Sequence, residues 1–144
     1  MTESPLEYTF KNIQIGEKRK FNEKIDDSKL ESFAKLSGDY NPLHMDEKYA
    51  QETSFKRRIC HGMLLASFFS RLIGMYLPGK NALYFSQTLN FQAPCFVTDE
   101  ITIEGEIIDK SSATRIVTIK TSIHNQNDEC IVDGIAKVII RSDV

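Results

Sequence analysis

The chain reads as an α+β fold in which one apolar helix is covered by an antiparallel sheet. Three observations predict this. Residues 62–77 carry apolar side chains around most of a helical circumference, so this helix must be wrapped by something. From Ala82 onward the hydrophobic period changes from 3.6 to 2. The runs that follow are separated by breaks rich in Gly, Asn, Asp and Ser. With 144 residues and no linker-like stretch, a single domain over 1–144 is expected.

The elements follow in order. Residues 18–25, KRKFNEKI, suit a short strand. Asp26 or Asp27 then supplies an N-cap, and Leu30, Phe33 and Ala34 form the stripe of a helix ending near Ser37. Gly38-Asp39-Tyr40-Asn41-Pro42 is turn chemistry, because Pro42 pushes Asn41 out of the helical region. A short helix covers Asp46 to Gln51, and an irregular basic segment runs from Ser54 to Arg58. The apolar helix spans Gly62 to Leu77 and stops at Pro78-Gly79. Four strands are expected at Leu83–Ala93, Glu100–Asp109, Thr114–His124 and Cys130–Arg141. In the third, Val117, Ile119, Thr121 and Ile123 alternate with Ile116, Thr118, Lys120 and Ser122, which marks one buried and one wetter face. Asn125-Gln126-Asn127-Asp128 reads as a hairpin loop.

Composition excludes several classes. Hydrophobic residues are 41% and charged residues 26%, which rules out a disordered or low-complexity chain. Eighteen basic against twenty acidic residues give a net charge of −2, so no basic field points to nucleic acid. The run Met63–Leu77 is 15 residues long and contains Arg71, short of the roughly 20 a bilayer needs. No membrane partner is therefore expected. The N-terminus has acidic residues and no apolar run, unlike a secretory signal. Cys60, Cys95 and Cys130 are evenly spaced, but their flanks share nothing. Three scattered thiols suit a reducing, cytoplasmic compartment and read as small buried hydrophobes.

Two stretches could carry chemistry. In SGDYNPLHMDEKYA, Asp39 and His44 flank a structured turn that could aim both into one pocket as an acid–base pair. The plainer reading is that Asp39 and Asn41 bond turn amides and His44 is structural. In ICHGMLLASFFS, His61-Gly62 opens the apolar helix, whose first amides lack intrahelical partners and can face developing negative charge. His61 is either a second acid–base group or a capping or core histidine. Ser67 and Ser70 either face a ligand or bond back to a helix carbonyl. Lys56-Arg57-Arg58 is a solvated loop or a meeting point for the phosphates of an anionic ligand. His44, His61 and His124 show no metal-ligand spacing, and no phosphate-binding glycine loop or nucleophile elbow is present.

The string FAKLSGDYNPLHMDEKYA, followed by HGMLLASFFSRLIG and LPGK, resembles the MaoC-like, R-specific 2-enoyl-CoA hydratases, closely over Phe33 to Val97 and more loosely beyond. The resemblance implies the hot-dog fold, a central helix wrapped by an antiparallel sheet. It makes Asp39 and His44 the catalytic pair, Asn41 the active-site asparagine, and the Gly62 amide the donor to the thioester oxygen. It also places Ser70 at the site and Ile73 in the acyl-pocket region. Arg58 stands where relatives commonly have proline, which bears on that loop and on CoA contact. The implied reaction is hydration of a trans-2-enoyl thioester to the (3R)-hydroxyacyl thioester, with no metal or separate cofactor. The implied substrate is acyl-CoA or an acyl carrier protein thioester, and the implied assembly is a homodimer. Alternatives on the same fold are a carrier-protein dehydratase, a thioesterase or a non-catalytic acyl-CoA binder.

Overall fold

The computed structural model describes residues 3–141. Strand β1 (Lys18–Lys24) leads into helix α1 (Asp27–Ser37), two short helices α2 (Pro42–Met45) and α3 (Glu47–Gln51), and the apolar helix α4 (Gly62–Arg71). A π-helical turn, Leu72–Tyr76, continues α4. Strands β2 (Ala82–Gln87), β3 (Asn90–Phe91), β4 (Glu100–Ser111), β5 (Ile116–His124) and β6 (Cys130–Ile140) follow.

The strands form one antiparallel sheet ordered β1-β4-β5-β6-β2, with β3 also pairing on β6. Its inner face curls over α4, the hot-dog arrangement. Val117, Ile119, Thr121 and Ile123 of β5 are buried, as their alternation requires. Leu64, Leu65 and Phe69 of α4 pack with Ile101, Ile103, Ile123 and Val132 from the sheet. Ile73 and Leu77 lie in a second cluster with Ile13, Ile107, Ile119 and Val138. Arg71, the charge inside the apolar run, donates to Glu23 on β1 at 3.2 Å and lies over the Phe21 ring at 4.2 Å. Its charge is thus met at the rim of the core. Among the described residues, no helix is long and apolar enough to cross a membrane.

Most expected boundaries hold to within a few residues. Asp26 is the N-cap of α1, accepting from the Lys29 N–H at 2.9 Å, and left-handed Gly38 closes that helix. Asn125 Oδ1 accepts from the N–H groups of Asn127 and Glu129, closing the β5–β6 loop. Cys60 and Cys95 are buried, and Cys130 is partly so.

Three features differ from expectation. The turn at Pro42 continues into α2, because Asn41 caps it and proline suits the first helical position. The Gly62–Leu77 helix widens in its last turn, where the Leu77 N–H reaches back to Leu72 O at 2.9 Å. The strand expected at Leu83–Ala93 is split into β2 and β3. At the break, Thr88 O crowds Gly134 so closely that a Cβ there would lie 1.8 Å away. The Ile135 N–H takes the Thr88 hydroxyl at 2.8 Å in place of a regular ladder bond.

The two sheet edges are unlike. Edge strand β1 opens with exposed Lys18, Arg19 and Lys20. Edge strand β2 exposes Leu83, Tyr84 and Phe85.

Candidate active site

The polar residues of the site are set by a relay of turns. Ser37 Oγ accepts from the Asp39 N–H at 3.1 Å, Asp39 Oδ1 from the Asn41 N–H at 3.1 Å, and Asn41 Oδ1 from the Leu43 N–H at 3.0 Å. Each side chain shapes the backbone two residues on, so Asn41 starts α2 and α2 presents His44. His44 Nδ1 lies 2.8 Å from Ile59 O. A carbonyl oxygen only accepts, so Nδ1 carries a hydrogen, and in the neutral ring the lone pair is then on Nε2.

Opposite stands the start of α4. The Cys60 N–H donates to Cys95 O at 2.6 Å, and Ile59 bridges Phe96, which pins the strand entering the helix. His61 is the N-cap residue, without a side-chain capping bond, and Gly62 opens α4. The Gly62 N–H is among the first-turn donors that no helix carbonyl can reach. A Cβ at Gly62 would lie 2.8 Å from the Phe91 ring, so any larger residue there would have to displace that ring.

The two halves meet closely. Asp39, His44 and His61 each place one polar side-chain atom within 4.8 Å of the others. The His44 and His61 rings are 4.2 Å apart with a 33° tilt. Burial pushes the His61 imidazole below the usual histidine range, outweighing its bond to the Asp39 backbone. His61 Nε2 is 3.1 Å from Asp39 O, so this nitrogen is the N–H donor. Each histidine thus has one nitrogen committed to a backbone carbonyl, and the three side chains stand together as a close acid–base cluster. Motif spacing could not disclose it, because His61 and His44 converge only in space.

The cluster lines a cavity of about 500 Å³ whose other walls include Phe55, Met63, Phe91 and Cys95. Its lining is mainly apolar, with a few polar groups on one side, the arrangement of a small-molecule site. Phe55, Phe91 and Cys95 carried no local signal of this role. Phe91 reaches the cavity through the β3–β6 pairing, Cys95 lies beside the Ile59–Phe96 bridge, and Phe55 comes from the loop before Ile59.

The structure brings Asp39, His44 and Gly62 to one cavity, and it sets the remaining expected residues elsewhere. Asn41 is spent on capping α2. Ser70 lines a neighbouring apolar hollow with Phe33, Met63, Tyr84 and Leu89, and Met63 borders both spaces. Ile73 does not reach either: it is 1% exposed and belongs to the closed core under β5 and β6. Arg58 does not line the cavity. Its guanidinium is tied to Asp27 and Glu47, the latter at 3.3 Å, and to His44 O at 3.4 Å. Ser67 bonds back to Leu64 O at 2.6 Å.

Residues 10–128 match the model of the MaoC-like domain. The chain belongs to that family. Among MaoC-like proteins it is 42% identical over 127 residues to the (R)-specific enoyl-CoA hydratase of Aeromonas caviae, covering 88% of this chain and 95% of that one. It is 31% identical to the mitochondrial 3-hydroxyacyl-[acyl-carrier-protein] dehydratase of Arabidopsis thaliana, over 89% of this chain and 78% of that one. The solved structure of the A. caviae (R)-hydratase superposes with a TM-score of 0.88 at 41% identity, covering 90% of this chain and 98% of that one. An unliganded R-hydratase from Pseudomonas aeruginosa superposes with a TM-score of 0.89 at 35% identity, covering 94% and 86%. The MaoC-like fold thus spans nearly the whole described chain.

Proposed function

We propose that this chain is an (R)-specific enoyl-CoA hydratase that adds water reversibly to trans-2-enoyl-CoA, giving (3R)-hydroxyacyl-CoA. The observation that carries the reading is the meeting of Asp39 and His44 with the start of α4 on one wall of an apolar cavity. The identity to the A. caviae hydratase supports the choice of reaction and of CoA as carrier.

The proposed chemistry follows from the tautomers. Attack of water at C3 of the enoyl group drives electrons onto the thioester oxygen, where the Gly62 N–H at the helix start stabilises the enolate. His44 Nε2 holds the free lone pair and takes the proton from water, while its Nδ1–H stays on Ile59 O. Asp39 orients the water and supports the imidazolium. The same proton returns to C2, so the balance is one water added across the double bond. Asn41 acts through α2, not by touching the substrate. No separate cofactor enters this scheme, because the thioester already activates the double bond.

We further propose a homodimer joined through the β2 edge, which exposes Leu83 at 52% and Phe85 at 62%. Three free thiols fit a cytoplasmic setting. Sedimentation velocity tests the dimer, and substitution of Phe85 by glutamate should shift it toward monomer.

The deciding experiment follows loss of enoyl absorbance from crotonyl-CoA, with chiral analysis of the product. Asp39→Asn and His44→Ala should each lower kcat by about 10²–10⁴ while circular dichroism stays unchanged. Near-normal rates in either folded variant would overturn the assignment. Release of free thiol from acyl-CoA would indicate a thioesterase instead. Faster turnover of the carrier-protein thioester than of the CoA thioester would move the assignment to the dehydratases.

A further inference from the structure

We infer that His61 is a positioning residue for the Asp39–His44 pair, its Nε2–H anchoring the Asp39 backbone while its ring backs the His44 ring. The inference rests on the hydratase reading and goes beyond it, since the resemblance gave His61 no role and the proposed proton transfers do not use it.

Packing alone does not account for an imidazole here. The side chain is 1% exposed, and its ring lies 5.0 Å from that of Phe33. Its Nδ1 is buried without a hydrogen-bond partner among the described residues. A buried polar atom left unpaired is a cost to the fold. Phenylalanine would fill the same space beside Phe33 without that cost. What imidazole supplies and phenylalanine lacks is the Nε2–H.

That hydrogen goes to the Asp39 carbonyl at 3.1 Å. The other bonds made by this turn are local: Gly38 N–H to Ala34 O, Asp39 N–H to Ser37 Oγ, and Asn41 N–H to Asp39 Oδ1. Among the described residues, the His61 bond therefore ties the Asp39 turn to the start of α4. The next residue along the chain is Gly62, and the ring stands 4.2 Å from His44. This side chain thus sets the spacing between Asp39 and the backbone donor, as the His44 Nδ1–Ile59 O bond does for the other member of the pair. It does so uncharged, so no second cation competes with an imidazolium on His44.

The variants His61→Phe and His61→Gln test this, because glutamine can place an N–H donor near the position of Nε2 and phenylalanine cannot. Circular dichroism and thermal melting establish first that His61→Phe is folded. Its kcat for crotonyl-CoA should fall about 10- to 100-fold, with KM within about threefold, the pattern of displaced catalytic groups. His61→Gln should recover most of the lost kcat. Unchanged kcat in folded His61→Phe, or no recovery in His61→Gln, would overturn the positioning role while leaving the hydratase reading intact. The unaltered protein gives an assay-independent check by long-range ¹H–¹⁵N correlation spectroscopy. His61 should appear as the neutral Nε2–H tautomer at pH 7, and the Nδ1–H tautomer or the imidazolium would overturn the inference even if His61→Phe fails to fold. A parent protein that hydrates no enoyl-CoA would sink the hydratase reading and the positioning role together.

Discussion

The stretch from α1 to the start of α4 and the sheet beneath it are built by different means. The first holds Asp39, Asn41 and His44 through side chains that cap and bond backbone, mostly in water. The second holds Phe69, Ile103, Ile119 and Val138 by close apolar packing, each at most 1% exposed. Capping bonds aim groups and contribute little energy apiece, whereas buried aliphatic and aromatic side chains contribute about 1.5–3 kcal/mol each. The difference teaches that chemistry and stability are separable here. Substitutions in one region should change turnover, and substitutions in the other should change the folded population.

The largest contrast sets His44→Ala, expected to lower kcat by about 10²–10⁴ with the fold intact, against Phe69→Ala. The latter empties a core position 1% exposed and should cost about 3–5 kcal/mol, read by urea unfolding, with kcat per folded molecule retained. If Phe69→Ala lost kcat at undiminished stability, the separation would be wrong. Asn41→Ala should fall between the two. It removes the cap that starts α2, costing about 1 kcal/mol, and it also frees His44 to wander, so kcat should drop with it. An Asn41→Asp variant, which keeps the accepting oxygen, should restore most of both.

Arg58→Ala should have a smaller effect. Its carboxylate partners Asp27 and Glu47 are more than half exposed, so the stability change should stay below about 1 kcal/mol. Because the guanidinium also donates to His44 O, a severalfold fall in kcat with little change in KM is expected. A large rise in KM for CoA substrates would instead revive a phosphate-binding role.

The smallest effect is a pH dependence of stability. His61 binds its proton less readily when folded than when unfolded, because burial disfavours the charged form. As pH falls through the unfolded histidine range near 6.5, the unfolded chain takes up a proton that the folded chain refuses, so stability decreases. The decrease should level off below the depressed folded value. Thermal melts from pH 8 to 5 should show this slope in the parent and a shallower one in His61→Phe.

How far the sequence carried this picture depends on whether the cause was local. The alternation in β5 and the apolar circumference of α4 are local periodicities, and both were legible. So was the Asp39–Asn41–Pro42 turn, since each residue acts on backbone two positions away. The break between β2 and β3 was not, because it comes from Thr88 meeting Gly134, far along the chain. The π-helical turn was hidden for a similar reason, as its widened geometry fits Leu72 and Leu77 into the sheet. Ile73 shows the same limit at the site. The resemblance implied a place for it in the acyl-pocket region, whereas the placement of β5 and β6 sets it in the closed core. His61 had two readings, and the choice between them needed the Asp39 carbonyl in place.

The unlike edges of the sheet have a consequence for growth. A lysine-rich border repels a second strand, so association through β1 is discouraged. Among the described residues, β2 is the sheet edge with an apolar border. Two molecules that meet there through the same surface satisfy each other by a two-fold rotation and leave no further sticky margin. In the proposed dimer, pairing would stop at two copies, and the asymmetry that permits a partner would also prevent a fibre.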